Sequence, residues 1–438
     1  MKRGETISVM AESLSRHGEG VGKYDAVEVH VGGLLPGETA DVRIDYISQQ
    51  RHRAHGVAVT RRNTHPGRRP APCHHHGACS GCPLMEMDLP SQQELKRVEL
   101  KREFGISIDR LVALDGGGLR YRWSSKRVVH GEPGEIVLGS YMRGTHSVAD
   151  MSGCLVDHPD IVACAGELTR VANAMGIVPY DEETMQGDLR YAWFKTDGNG
   201  QLLLALITAE PLAPDVLALA RELQTPSGIA WGVNSNPGND MRGVTLRPIR
   251  GQQTLALNFE GVKFFAGPLG FLQPNPAAAS LAFRDLIRVP AGGVPHGRLA
   301  LDLYAGAGVT TELLREHFPQ VVPCESYPES ARLLGIEAEL VEEFLARVLA
   351  PNHPHRKPDL VVANPPRGGM GPTVCEQLNL LRAKRLHIMS CNPRSLADDL
   401  VKLTGPGGGY RLLQARAFDT LPQTAHIEVV AWLVGRSD

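Results

Sequence analysis

Cys391 lies in the stretch LHIMSCNPRSLADDL, where an apolar, strand-like run ends at Ser-Cys-Asn-Pro and a helix begins. Asn392 and Pro393 open that helix, with proline near its first position, where a missing N–H costs nothing. A thiol just ahead of a helix start feels its positive end and its unpaired N–H groups. Its pKa is therefore expected to fall, which suits a nucleophile. The bland alternative is a small buried packing residue. A candidate acid–base group, Glu428, sits inside the otherwise apolar run of FDTLPQTAHIEVVAWLV. A charge there is costly unless paired or used, although an alternating strand can also turn it to solvent. Four more cysteines form a third group: Cys73, Cys79 and Cys82 in C-x5-C-x2-C spacing, with Cys154 after a long gap. Four thiolates can hold a structural zinc or a [4Fe–4S] cluster, and spacing alone leaves both open.

These groups need a scaffold. From about residue 265 the pattern runs strand, loop, helix in succession, which predicts a parallel sheet covered by helices. RLALDLYAGAGVTTELLREHF reads as a buried strand, a small-residue loop and a helix, with glycines at 306 and 308 that let the backbone approach a ligand. The loop lacks the third glycine of a dinucleotide fingerprint, since Thr311 stands three after Gly308. The next strand ends in Glu325, a carboxylate suited to both hydroxyls of a ribose in an adenosine cofactor without pyrophosphate. The run from Asp302 to Gly308 resembles the first motif of S-adenosylmethionine-dependent methyltransferases. A third strand ends in Asn364-Pro365-Pro366-Arg367, and Cys391 closes a fourth, so all are expected at the carboxyl edge where open α/β folds bind ligands.

Ahead of this unit, residues 5 to 62 read as short strands broken by Gly and Pro turns, a small β-barrel. A Pro-rich basic linker and the Cys/His segment follow, then a helix over 91–104 with Ser91 as its expected cap. Residues 120 to 260 read as α+β. The expected domains are 1–63, 64–262 and 263–438, with 91–118 packing on the last. Length (438 residues), apolar content (42%) and charged content (21%) suit a soluble protein with several cores. No apolar run of spanning length or charged-then-apolar leader is seen, so a cytoplasmic protein with no membrane partner is expected. Eight cysteines then point to metal or catalysis rather than disulfides. Cys164, Cys324 and Cys375 read as core or strand-edge residues, and His74, His75 and His76 as exposed loop residues. Net charge is −2, so no global basic field is present. Between residues 43 and 69, however, seven arginines (43, 51, 53, 61, 62, 68, 69) face one acid, Asp45, either a phosphate-contacting patch or a solvated strip.

Together these segments resemble the RNA uracil-C5 methyltransferase family. The resemblance rests on FLQPN (Phe271, Gln273, Asn275), DLYAGAG, NPPRGG, SCNP and PQTAHIE, in the family's order along most of the chain. The segments GEGVG and LLPGE resemble a TRAM domain, an OB-like RNA-binding barrel. The implied fold is α/β: a Rossmann-like class I methyltransferase domain, an N-terminal TRAM barrel and a central α+β domain holding a metal cluster. The resemblance implies S-adenosylmethionine at Gln273, Tyr304, Gly306, Val309, Glu325 and Asn364. It favours [4Fe–4S] over zinc at Cys73, Cys79, Cys82 and Cys154. It makes Cys391 the nucleophile toward uracil C6 and Glu428 the base that removes the C5 proton. The target base must leave its stack. The family usually carries Asp where this chain has Asn364, and many relatives have Asn where it has Val309. The implied substrate is structured RNA, ribosomal RNA ahead of transfer RNA, acted on by a monomer with no obligate protein partner. Cytosine-C5 methylation uses the same thiol addition, and a silent RNA-binding protein on the same fold is the reading from another class.

Overall fold

The computed structural model describes all residues except 16, 49–51, 117, 143, 144, 146, 237–240, 242–244, 260 and 437–438, and the side chains at 245 and 329. The N-terminal region forms a six-stranded sheet. Its order is Thr6–Met10, Thr39–Ser48, Arg53–Arg61, Val27–Gly32, Gly20–Tyr24 and Ser13–Leu14. Alternating apolar positions such as Ile7, Val9, Val42 and Ile44 face one core with Val29 and Val31. Gly22 lets strand Gly20–Tyr24 lie against Met10, because a Cβ there would stand 2.2 Å from the Met10 carbonyl oxygen. This contact curls the sheet back on itself.

Among the described residues, five of the seven arginines of this run are paired with acids. Folding brings in acids distant in sequence: Arg53 pairs with Glu28, Arg62 with Asp41, and Arg61 and Arg68 with the buried Glu38. Arg68 also reaches Glu86, and Arg43 stays near Asp45. Arg51 lies outside the described residues.

A second, seven-stranded sheet spans residues 124–251. It is antiparallel except where Leu202–Thr208 runs parallel to Gly228–Val233, and helix Pro214–Glu222 makes that crossover. The expected α+β character is what these residues form.

The third sheet positions the chemistry. Its order is Gln320–Cys324, Leu299–Leu303, Leu360–Ala363, Arg385–Ser390, Glu428–Gly435, Tyr410–Phe418 and Leu111–Val112. The first four strands are parallel, and Glu428–Gly435 is antiparallel to both of its neighbours. Leu299, Leu301 and Leu303 face a core with helices Val341–Val348, Gly371–Leu381 and Pro393–Thr404. Ala300, Leu360, Val362 and Trp432 face the other, with helices Pro276–Leu286 and Val309–Arg315. Burial on both faces is why these strands read as continuous apolar runs. Each fully buried leucine contributes about 1.5–3 kcal/mol.

Two boundaries differ from expectation. The hairpin Leu255–Phe259/Val262–Ala266 straddles the expected border at 262 and packs in the same core as Ala300 and Trp432. The early helix spans Leu89–Phe104, two residues longer than expected, and its cap is Asp88 rather than Ser91. Asp88 accepts from the Ser91 N–H at 2.8 Å, and Pro90 sits in the first turn. This helix sends Leu100 into the third sheet's core together with the following Ile106, and Leu111–Val112 pairs with Ala417–Phe418. Among the described residues no helix is long and apolar enough to cross a membrane.

Candidate active site

The carboxyl ends of the four parallel strands meet at one edge, and strand Glu428–Gly435, running the other way, starts there. Ser390 pairs with Val429. One step further out, Cys391 and Glu428 therefore leave the sheet side by side. Cys391 is exposed, and Asn392 caps the following helix, with Pro393 in the first turn. The Asn392 amide donates to the Arg367 carbonyl at 2.8 Å, tying this strand end to the Asn-Pro-Pro-Arg loop.

The expected fall of the thiol pKa does not occur. Desolvation of the sulfur, then the nearby Glu428 carboxylate, push Cys391 above the ordinary thiol value. Arg367 works in the opposite direction, by charge and by hydrogen bonding. Local burial and a neighbouring acid thus outweigh the helix start. Burial alone raises Glu428 to about 8, so the carboxyl is mostly neutral at pH 7. Glu428 is buried, not on a solvent-facing alternation.

A cavity next to this edge is lined by Gln273, Tyr304, Gly306, Val309 and Asn364, with Phe264 and Phe271 among its apolar walls. Its empty volume, mouth included, is about 770 Å³. Tyr304 has φ +59° and Gly306 φ +56°, so the chain turns sharply as it leaves the strand. Gly308 sits at φ +91°, strained for any side chain, and a Cβ there would stand 2.6 Å from the tip of Leu334, which would have to shift. Asp302 is buried beneath the loop, accepts from the Thr311 hydroxyl at 2.6 Å, and is raised to about 7, chiefly by desolvation. Glu325 is placed differently from the other expected cofactor contacts. Its two oxygens accept from the Gly306 and Tyr327 N–H groups, each at 2.7 Å, and it does not line the cavity wall. It fixes the loop, while retaining lone pairs for further donors.

Cys73, Cys79, Cys82 and Cys154 line a second cavity with Arg122, Lys126 and Arg127. Desolvation first, then the Cys154 sulfur, push Cys82 up to about 12, and burial followed by Asp157 raises Cys154. A cation among the four thiols would relieve that penalty. His75 and His76 also line this cavity and are half-buried, contrary to the expectation of exposed loop residues, which holds for His74. The His75 ring lies 2.9 Å from the Ser152 carbonyl oxygen. Cys164, Cys324 and Cys375 are buried core residues.

The two regions are joined. The Leu84 N–H donates to the Gln423 carbonyl, and the Tyr121 hydroxyl to the Pro422 carbonyl. Gln92 and Gln423 bond reciprocally, at 2.8 Å through the side-chain amide and 2.9 Å through the Gln423 N–H. Lys96 and Asp419 form a buried ion pair at 2.6 Å. Sequence reasoning missed these supports, because pairs more than 300 residues apart leave no local pattern. Arg367 was within reach, being part of the NPPRGG segment that carries Asn364.

The sheet order, the glycine loop and the cavity define a class I S-adenosylmethionine-dependent methyltransferase fold. A sequence model of the tRNA (Uracil-5-)-methyltransferase family matches residues 355–436, which hold Asn364, Cys391 and Glu428. An uncharacterized RNA methyltransferase of Geobacter sulfurreducens is 29% identical, over 99% of this chain and 90% of its own length. Another, of Gloeobacter violaceus, is 28% identical over 98% and 97%. The crystal structure of Pyrococcus abyssi tRNA (uracil-54, C5)-methyltransferase with S-adenosyl-L-homocysteine shares the fold. Its TM-score is 0.76 at 21% identity, covering 98% of this chain and 99% of that one. The last fifth of the chain is thus similar to the tRNA (uracil-5-)-methyltransferase family, and the chain over nearly its whole length to RNA methyltransferases.

Proposed function

We propose that the protein methylates C5 of a uridine in structured RNA through a covalent adduct on Cys391. The observation that carries this reading is the pairing of Cys391 and Glu428 at one sheet edge beside the cavity. Uracil C5 is a poor nucleophile until something adds at C6. The Cys391 thiolate adds there and leaves an enolate with carbanion character at C5. Arg367 favours the thiolate. S-adenosylmethionine, when bound by Gln273, Tyr304, Gly306, Val309 and Asn364 with Glu325 bracing the loop, supplies the methyl group that C5 acquires. Glu428 as carboxylate then accepts the C5 proton, the C5–C6 double bond re-forms and the thiolate leaves. Asn364 can accept from uracil N3–H and donate to O4, so an amide still reads uracil.

In the same reading the N-terminal sheet is a TRAM-like RNA-binding barrel over 1–63, and the four cysteines hold a [4Fe–4S] cluster, with zinc the alternative metal. The cluster's role is structural, because its segment braces the loop ahead of Glu428. Ribosomal RNA rests on resemblance alone. The whole-chain fit to a tRNA enzyme gives transfer RNA equal standing as the substrate to assay.

RNA containing 5-fluorouridine tests the mechanism, since fluorine cannot leave as a proton. A stable protein–RNA adduct that disappears in Cys391→Ala is expected. No adduct on either RNA class, with the cofactor shown to bind, refutes the reading. Brown absorbance of anaerobically purified protein decides iron–sulfur against zinc.

A further inference from the structure

Three adjacent strands of the N-terminal sheet bring Glu19, His30 and His55 together, in a cluster that includes neither the four cysteines nor Cys391. Glu19 immediately precedes strand Gly20–Tyr24, His30 lies on Val27–Gly32, and His55 on Arg53–Arg61. His30 and His55 are direct partners in the parallel pairing of their strands, with ring centroids 5.1 Å apart. One donor atom from each of the three residues lies within 4.8 Å of the other two. His30 Nδ1 stands 3.1 Å from Glu19 Oε2, and His55 Nδ1 3.6 Å from Glu19 Oε1. Ligands about 2.0–2.1 Å from a tetrahedral zinc are roughly 3.3 Å from one another, and these two separations bracket that value.

We propose that Glu19, His30 and His55 form a divalent metal site for zinc, with water in the fourth position. Two imidazoles and one carboxylate match zinc's preference for nitrogen and oxygen donors in a three-ligand site. The surroundings have the form that metal ligands require. The second nitrogen of His30, Nε2, is buried 3.2 Å from Glu28 Oε2 without a hydrogen bond, so that carboxylate is the group placed to take its N–H when Nδ1 binds an ion. Arg53 holds Glu28 in turn, through Nε at 3.1 Å and Nη2 at 3.0 Å. The Ser15 hydroxyl donates to Glu19 Oε2 at 3.1 Å and so orients the ligating carboxylate. Glu19 and His30 are buried, whereas His55 is one-third exposed and gives the ion its entry. The competing arrangement is a network of carboxylates hydrogen-bonded to the imidazoles, with no metal.

The test is zinc and cobalt(II) binding to the full chain after chelator treatment, comparing wild type with His55→Gln, His30→Gln and Glu28→Gln. Elemental analysis should show one fewer zinc per chain in both histidine variants than in wild type. The cobalt difference spectrum, wild type minus His55→Gln, should carry visible d–d bands without near-ultraviolet thiolate charge transfer, which separates this site from the cysteines. Glu28→Gln should keep the equivalent but bind it about 10–100-fold more weakly. His55 is partly exposed, so its variant remains informative if His30→Gln fails to fold. Equal zinc content in wild type and His55→Gln, or a difference spectrum with only thiolate bands, overturns the site and leaves the hydrogen-bonded network. Unchanged affinity in Glu28→Gln overturns the supporting role given to that carboxylate.

Discussion

Replacing Glu428 by Gln removes the base while keeping the shape of the buried side chain. Burial raises the carboxyl to about 8, so at pH 7 about a tenth of it is ionised. Proton removal from C5 needs the ionised form. In wild type the rate of tritium release from the pre-formed methylated adduct on 5-tritiated uridine, after a pH jump that leaves thiol addition behind, should rise about tenfold from pH 6 to pH 7 and level off above pH 8. Glu428→Gln should still add to C6 and accept the methyl group, but should resolve the adduct about 10²–10⁴-fold more slowly, the usual range for a lost general base. Methylated RNA should then run with the protein on denaturing gels. The same group has a stability consequence. Its folded-state pKa lies above the ordinary 4.5, so the folded chain holds the proton longer than the unfolded one. Stability from this group is full below pH 4.5 and is lost as pH rises toward 8, by up to roughly 5 kcal/mol. Glu428→Gln should flatten that part of the denaturation profile. Wild-type adduct resolution in the variant, or tritium release that is flat between pH 6 and 9, refutes the assignment of the base.

Arg367→Ala removes the cation that opposes burial at the thiol. The Cys391 pKa should rise further, read as slower alkylation by iodoacetamide between pH 8 and 9, and adduct formation should slow with it. Gly308→Ala places a methyl group against Leu334 at a positive φ, costing about 1–2 kcal/mol from the backbone alone. Calorimetric titration with S-adenosylmethionine should show affinity weakened roughly tenfold. Lys96→Met leaves Asp419 buried without its cation and should destabilise the chain by about 3–5 kcal/mol in urea denaturation.

Much of the catalytic sheet is legible in the sequence because its strands are buried on both faces and alternate with helices. Runs such as LALDL and LVVA therefore announce themselves, and the small-residue loop and Cys391 fall at their ends. What the sequence hides is whatever depends on distant partners. The convergence of Cys391 with Glu428 follows from the pairing of Ser390 with Val429, a register no local pattern encodes. The direction of the thiol shift reverses because Glu428 and burial come from tertiary packing. Ser91 reads as a helix cap by residue type, yet Asp88 takes the role because Pro90 allows an earlier start. The arginines of the N-terminal sheet look unopposed only until Glu28, Glu38, Asp41 and Glu86 fold in beside them.

The attachment of helix Leu89–Phe104 and strand Leu111–Val112 to the last strands makes the catalytic unit discontinuous, with the sheet of residues 124–251 inserted into it. During synthesis the early helix must wait for nearly the whole chain before Asp419 and Gln423 emerge to meet Lys96 and Gln92. Such long-range closure slows folding and leaves apolar surface exposed meanwhile. A fragment starting at residue 263 would lack Leu100, Ile106 and the cation facing Asp419. Expression of the isolated C-terminal half should therefore give aggregate, and co-expression of residues 1–120 should restore solubility only if the inserted sheet is dispensable as a spacer.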